Sequence, residues 1–196
     1  MRSVGLFKVF AFYSAMTSIG VAALWGRGGA TEFFPKIDLQ HWAIAIASGL
    51  GVGLVMVAAS RLAAANLQWA AQLAEEFRSL IGPLSGRQAL AVAAASAVAE
   101  ELLFRGILQP PLGLWLTAAI FGVLHIGPNI RFLPWTVMAC GAGLAFGWLF
   151  HWTSSLAAPI LAHATVNYLN LRYLTQTTDG DELCIDPVGD EHPVGQ

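Results

Sequence analysis

The sequence predicts an all-α integral membrane protein with about six transmembrane helices plus one amphipathic interfacial helix. Three observations carry this expectation. The 196 residues are 56% hydrophobic and only 11% charged, where a soluble domain would average about 25% charged; the mean hydropathy is +0.61. Apolar runs recur at lengths near the ~20 residues that a helix needs to cross a bilayer. The basic residues are segregated: with six spans, Arg2, Lys8, Arg61, Arg78, Arg87, Arg131 and Arg172 collect on one side, and Arg27 and Lys36 on the other. By the positive-inside rule both termini are expected to be cytoplasmic.

The elements follow in order. Residues 4–25 form an apolar run, too long for a signal-peptide core and without a small-residue cleavage site after it, so it reads as an uncleaved first span. Residues 26–40 are a Gly-, Pro- and charge-containing loop, and 42–59 a second span in which Gly49, Gly51 and Gly53 offer close approach to another helix. Residues 66–81 differ in kind. Leu67, Ala70, Leu73, Phe77 and Leu80 recur at helical spacing against Gln68, Gln72, Glu75, Glu76 and Arg78, which predicts an amphipathic helix at the membrane surface, with Glu75–Glu76 on its solvated face. The stretch Gly82-Pro83-Leu84-Ser85-Gly86 breaks it. Further spans are expected at 88–108, 112–126, 133–152 and 155–174, with Gly143 and Gly147 as a close-packing pair in the fifth. The resulting division is 1–65 for the two N-terminal spans, 66–82 for the interfacial helix, 83–174 for a four-helix core, and 175–196 for an acidic, disordered cytoplasmic tail that holds six of the twelve acids. Cys140 and Cys184 form no CxxC pattern and read as free thiols. No internal repeat is visible, and no basic patch suggests nucleic acid.

The third expected span, 88–108, carries Glu100, Glu101 and Arg105. Ionisable groups in a membrane helix cost roughly 2.5–3.5 kcal/mol each on insertion scales, so they persist where they face a protein interior or a wet cavity. Glu101 and Arg105 are four apart with the acid first, the favourable order for a helical ion pair. Glu100 points about 100° away round the helix. The spacing therefore assigns Glu101–Arg105 as an internal brace and Glu100 as the available carboxylate. His125 stands alone in the next apolar stretch, one turn after Phe121, and His163 and Asn167 share a face of the last span. Convergence of these groups on one cavity relieves the burial cost of all of them together.

Three chemistries suit that set. A glutamate and a histidine can take a proton from water while the second histidine and the asparagine donate to an oxyanion, which is amide or ester hydrolysis. Glu100, His125 and His163 could instead hold zinc, since His₂Glu is a catalytic ligand set, although HExxH is absent. The same residues could also relay protons along an ion pathway.

The motifs EExxxR at Glu100, Glu101 and Arg105, FxxxH at Phe121 and His125, and HxxxN at His163 and Asn167 resemble, in that order and on successive helices, those of the CPBP family of CAAX and bacteriocin-processing (ABI) intramembrane proteases. The resemblance covers roughly residues 80–174. It implies a CAAX-protease-like helical core and hydrolysis of peptide bonds near the membrane. It also implies that Glu100 and His125 activate water, that His163 and Asn167 stabilise the oxyanion, and that Glu101, Arg105 and Phe121 support the site. On this reading no cofactor is required, whereas a zinc-dependent reading of the family uses a metal. Compactness is similar to that of bacterial members, which implies an inner-membrane location. Segments 77–83 and 109–135 resemble those of myxosortase-like members, which cleave C-terminal sorting anchors. The expected partners are a membrane-anchored protein or peptide substrate and the lipid bilayer. The competing expectation is a non-catalytic immunity or scaffold protein that binds a partner through the same polar cavity. A proton-coupled transporter is disfavoured by the missing repeat.

Overall fold

A computed structural model describes residues 3–26 and 38–175. The expected acidic tail, Cys184 and most of the first loop lie outside them. The described residues are helical, without a strand: α1 Ser3–Gly26, α2 Leu39–Asn66, α3 Gln68–Ile81, α4 Gly86–Glu101, a π-helical segment Leu102–Leu108, α5 Gln109–Val123, a short 3-10 turn Ile130–Phe132, α6 Leu133–Thr153 and α7 Ala157–Thr175.

Four helical stretches among them are long and apolar enough to cross a membrane: Gly5–Gly26, Leu39–Asn66, Gly86–Val123 and Ile130–Thr153. The sequence separates the third into two spans at Pro110 and Pro111. The helix continues through both prolines, which sit in the first turn of α5, and the non-helical break between two helices follows two residues on. The bend comes later, at Gly113, whose φ of 77° lies in the left-handed region. α7 is as long as expected, but Asn167, Asn170 and Arg172 dilute its apolar character.

Local chemistry sets the helix ends. Asp38 caps α2 by accepting the His41 backbone N–H at 2.9 Å, and this bond, with the His41 ring beside it, holds the Asp38 carboxyl below its ordinary range. Ser85 and Gln88 form a reciprocal capping box at the start of α4. α3 stands between two non-helical joints, extended Leu67 and Gly82 at φ 66°. It is the amphipathic helix the spacing predicts. Ala70 and Leu73 are buried, while Glu75 pairs with Arg78, and Glu76 with Arg131 at 2.6 Å.

Small residues bring the central helices together. Ala89, Ala93 and Ala97 on α4 are fully buried at helical spacing, so α7 can pack directly along that face. α2 packs chiefly on α7 through Gly49 and Gly53; a Cβ on Gly49 would lie 2.4 Å from the Ala158 carbonyl oxygen, and one on Gly53 2.8 Å from Thr165 Cβ. Gly51, expected to share this role, faces open space. Gly143 fulfils its expectation against Ala118 of α5, and Gly147 against Leu114 and Gln109. Cys140 is a free thiol packed against Gly122.

The two kinds of glycine in α2 should respond oppositely to a methyl group. Gly49→Ala forces backbone apart and should destabilise the fold by about 1–3 kcal/mol. Gly51→Ala should cost nothing, because Ala is the better helix former by about 1 kcal/mol. Thermal unfolding of the detergent-solubilised variants measures both; equal midpoints would refute the α2–α7 packing described.

Candidate active site

The site is built where α4 passes into the π-helical segment. A wide turn of this kind is uncommon and is often found at functional sites. Glu100 and Glu101 end α4, and Arg105 lies within the wide segment. Glu101 and Arg105 are both 0% exposed. Arg105 Nη1 donates to Glu101 Oε1 at 3.2 Å, and its Nε lies 3.1 Å from Glu101 Oε2 as an ion contact without hydrogen-bond alignment. The brace expected from spacing is therefore present, and it extends further. Arg105 Nη2 donates to the Gly143 carbonyl at 2.7 Å, and one turn on Gln109 Nε2 donates to the Gly147 carbonyl at 2.9 Å. Aromatic faces close the remainder, with the guanidinium carbon 5.0 Å from the Phe121 ring centre and 5.6 Å from that of Phe146.

Glu101 does a second thing that the sequence did not reveal. His163 Nδ1 lies 2.7 Å from Glu101 Oε1, so the carboxylate that neutralises Arg105 also orients an imidazole on α7. A carboxylate only accepts, which puts a proton on His163 Nδ1 and leaves Nε2 turned toward Glu100, 3.8 Å from its Oε2. His125, just past the end of α5, is arranged the same way. Its Nδ1 meets the Phe121 carbonyl oxygen at 2.6 Å, so Nδ1 donates and Nε2 faces Glu100 Oε2 at 3.7 Å. Both rings are clamped by stacking. Phe121 lies against His125 at 4.4 Å between centres, and Phe146 against His163 at 5.0 Å.

The two oxygens of Glu100 are in different situations. Oε1 accepts a hydrogen bond from the Tyr13 hydroxyl of α1 at 3.2 Å, and Oε2 is buried without a hydrogen-bond partner. Asn167 lies one turn along α7 from His163, and its Nδ2 donates to Ser96 Oγ at 3.0 Å. Ser96 in turn donates to the Ala93 carbonyl. The structure thus gathers Glu100, Glu101, Arg105, Phe121, His125 and His163 into one cluster, with Asn167 at its edge on Ser96. Tyr13, Ser96, Gln109 and Phe146 are the members that sequence reasoning missed. The paired carboxylates Glu75 and Glu76 stay outside the cluster, engaged by arginines.

A mostly apolar cavity of about 290 Å³ adjoins the cluster. Trp69, Leu73 and Phe77 of α3 and Trp135 of α6 form part of its wall, and it reaches Tyr13, Ser96 and Asn167. Among the described residues no group of three His, Cys, Asp or Glu side chains is arranged to hold a metal ion.

Residues 84–169 match the family model described as type II CAAX prenyl endopeptidase Rce1-like. This segment is therefore similar to that family. It contains every member of the cluster except Tyr13. The chain is also 37% identical over 71 residues to an uncharacterized protein, YpbD, of Bacillus subtilis; the aligned part is 36% of this chain and spans about 37% of that relative. No solved structure matches.

Removal of Arg105 tests the brace within the Rce1-like segment. Arg105→Ala strands Glu101 in a dry interior and should lower stability by about 3–5 kcal/mol. Arg105→Lys keeps the charge without the fork that spans Glu101 and the Gly143 carbonyl, and should fall between. The readout is the unfolding midpoint in detergent. A wild-type midpoint for Arg105→Ala would show that the pair bears no structural weight.

Proposed function

We propose that this chain is an intramembrane endopeptidase that hydrolyses a peptide bond of a membrane-associated protein or peptide. The observation that carries the reading is the convergence of His125 Nε2 and His163 Nε2 on the unpartnered Glu100 Oε2, at 3.7 and 3.8 Å. Three polar atoms around one point, at more than direct hydrogen-bond distance, suit a reactant water between them. The Rce1-like match supports the peptidase class.

In the proposed mechanism Glu100 Oε2 accepts a proton from the water, aided by His125, as the water oxygen bonds to the scissile carbonyl carbon. The carbonyl oxygen becomes an oxyanion. His163 stabilises it by donating from Nε2, in the form that carries a proton on each ring nitrogen, with Glu101 balancing the charge at Nδ1. Asn167 donates the amide proton that Ser96 does not use. The C–N bond then breaks, the proton held by Glu100 passes to the leaving nitrogen, and the products are a carboxylic acid and an amine, which exchange a proton to give a carboxylate and an ammonium. No step is routed through a metal.

The adjoining cavity is the proposed seat of the apolar part of the substrate, which suits its aromatic and aliphatic walls. The membrane arrangement proposed with it has six crossings. α7 joins the four apolar stretches, the stretch Gly86–Val123 crosses twice about the bend at Gly113, α3 lies at the interface, and both termini are on the cytoplasmic side of a bacterial inner membrane. Arg61, Arg78 and Arg131 then share one side.

Mass spectrometry of protein termini in membranes from a deletion strain complemented with wild type, Glu100→Gln or His125→Ala tests the proposal. A membrane-proximal cleavage should appear with wild type and fall by about 10²–10⁴-fold in either variant. Identical termini in all three, with each variant present at normal level, would overturn it.

A further inference from the structure

We infer that Tyr13 is a positioning residue for the general base: its hydroxyl fixes Glu100 through Oε1 so that Oε2 faces the two imidazoles. This deepens the peptidase reading and rests on it. A glutamate side chain has among the largest rotamer freedoms of any residue, and a general base works only when its proton-accepting atom is held within hydrogen-bond reach of the reactant. The other carboxylate in the cluster is held by Arg105 and His163. For Glu100 the direct hydrogen bond is that from Tyr13, at 3.2 Å, and the histidines stand farther off.

The placement of Tyr13 is itself fixed. Tyr13, Gly20 and Leu24 recur at seven and four residues, so they share one face of α1. Gly20 allows α1 to approach Leu102 at the start of the π-helical segment, where an added Cβ would lie 3.3 Å from Leu102 Cβ. Leu24 packs in the same cluster as Leu102 and Leu156. The docking of α1 thus occurs beside the turn that ends in Glu100, and it carries the hydroxyl to the carboxylate across 87 residues of sequence. Tyr13 also borders the cavity, so the same residue touches both the base and the proposed substrate seat. It lies outside residues 84–169, which places part of the working site on a helix that the Rce1-like match does not include.

A hydroxyl that merely satisfies its own burial would leave chemistry untouched when removed. The test uses the full-length chain in detergent with an internally quenched prenylated CAAX peptide as probe, and Tyr13→Phe, which keeps the ring. The expected result is a fall in kcat of about 10–100-fold, the size set by one hydrogen bond to a charged group, with KM and the unfolding midpoint unchanged. Unchanged kcat, or a loss of kcat that tracks a lowered midpoint, would overturn the inference. Infrared difference spectra supply a readout independent of turnover. The band lost in Glu100→Gln identifies the Glu100 carboxyl, and Tyr13→Phe should shift it; an unshifted band also overturns the inference. If wild type does not cleave the probe, the peptidase reading fails for that substrate class, and the infrared band alone decides whether Tyr13 holds Glu100.

Discussion

The structure depends on one carboxylate with two obligations. Glu101 neutralises the fully buried Arg105 and also holds the Nδ1 proton of His163. A charged pair in a dry interior repays its desolvation only when the geometry is good and further hydrogen bonds satisfy what remains. Here those bonds come from the Gly143 carbonyl on the arginine side and from an imidazole on the glutamate side. Removing water from the pair therefore ties α4, the π-helical segment, α6 and α7 together at one layer. The pair is a structural device whose outer surface is part of the candidate active site.

From that layer the division of labour between adjacent glutamates follows. Consecutive residues on a helix point about 100° apart, so one of two neighbouring carboxylates can be committed to the interior while the other faces the imidazoles. Glu101 is wholly enclosed, whereas Glu100 retains a little exposure and a free oxygen. The stacked rings beside His125 and His163 extend the same logic. Each imidazole is fixed by one Nδ1 hydrogen bond and one aromatic face, which leaves Nε2 as the atom available for chemistry.

Features set by helical spacing were legible in the sequence. The Glu101–Arg105 pair, the amphipathic character of α3 and the small-residue contacts at Gly143 and Gly147 all follow from residues three or four apart. The periodicity of α2 did not say which of Gly49, Gly51 and Gly53 would meet α7, because side choice depends on the partner helix. What spacing could not supply was contact across distance. Tyr13 carries no sequence signal beyond a polar tip in an apolar run, and Phe146 none beyond being aromatic, yet one bonds Glu100 and the other stacks on His163. The wide π-helical segment was equally invisible, since residues 102–108 have ordinary helix-compatible chemistry. Pro110 and Pro111 read as a terminus, and the backbone leaves helical geometry two residues on, at Gly113.

The carbonyls of Gly143 and Gly147 differ from side-chain acceptors in what a substitution can do to them. They accept from Arg105 and Gln109 as main-chain atoms, so no single codon change can delete the acceptor. The interaction can be lost in another way, by adding atoms. A Cβ at position 147 would stand 2.6 Å from the Gln109 amide oxygen, and one at 143 would press on Ala118 of α5 at 3.1 Å. Along this face of α6 the contacts are therefore exposed to added bulk rather than to loss of a functional group: a methyl group at 143 presses on the backbone of α5, and one at 147 makes the side-chain ends of Gln109 and Leu114 shift.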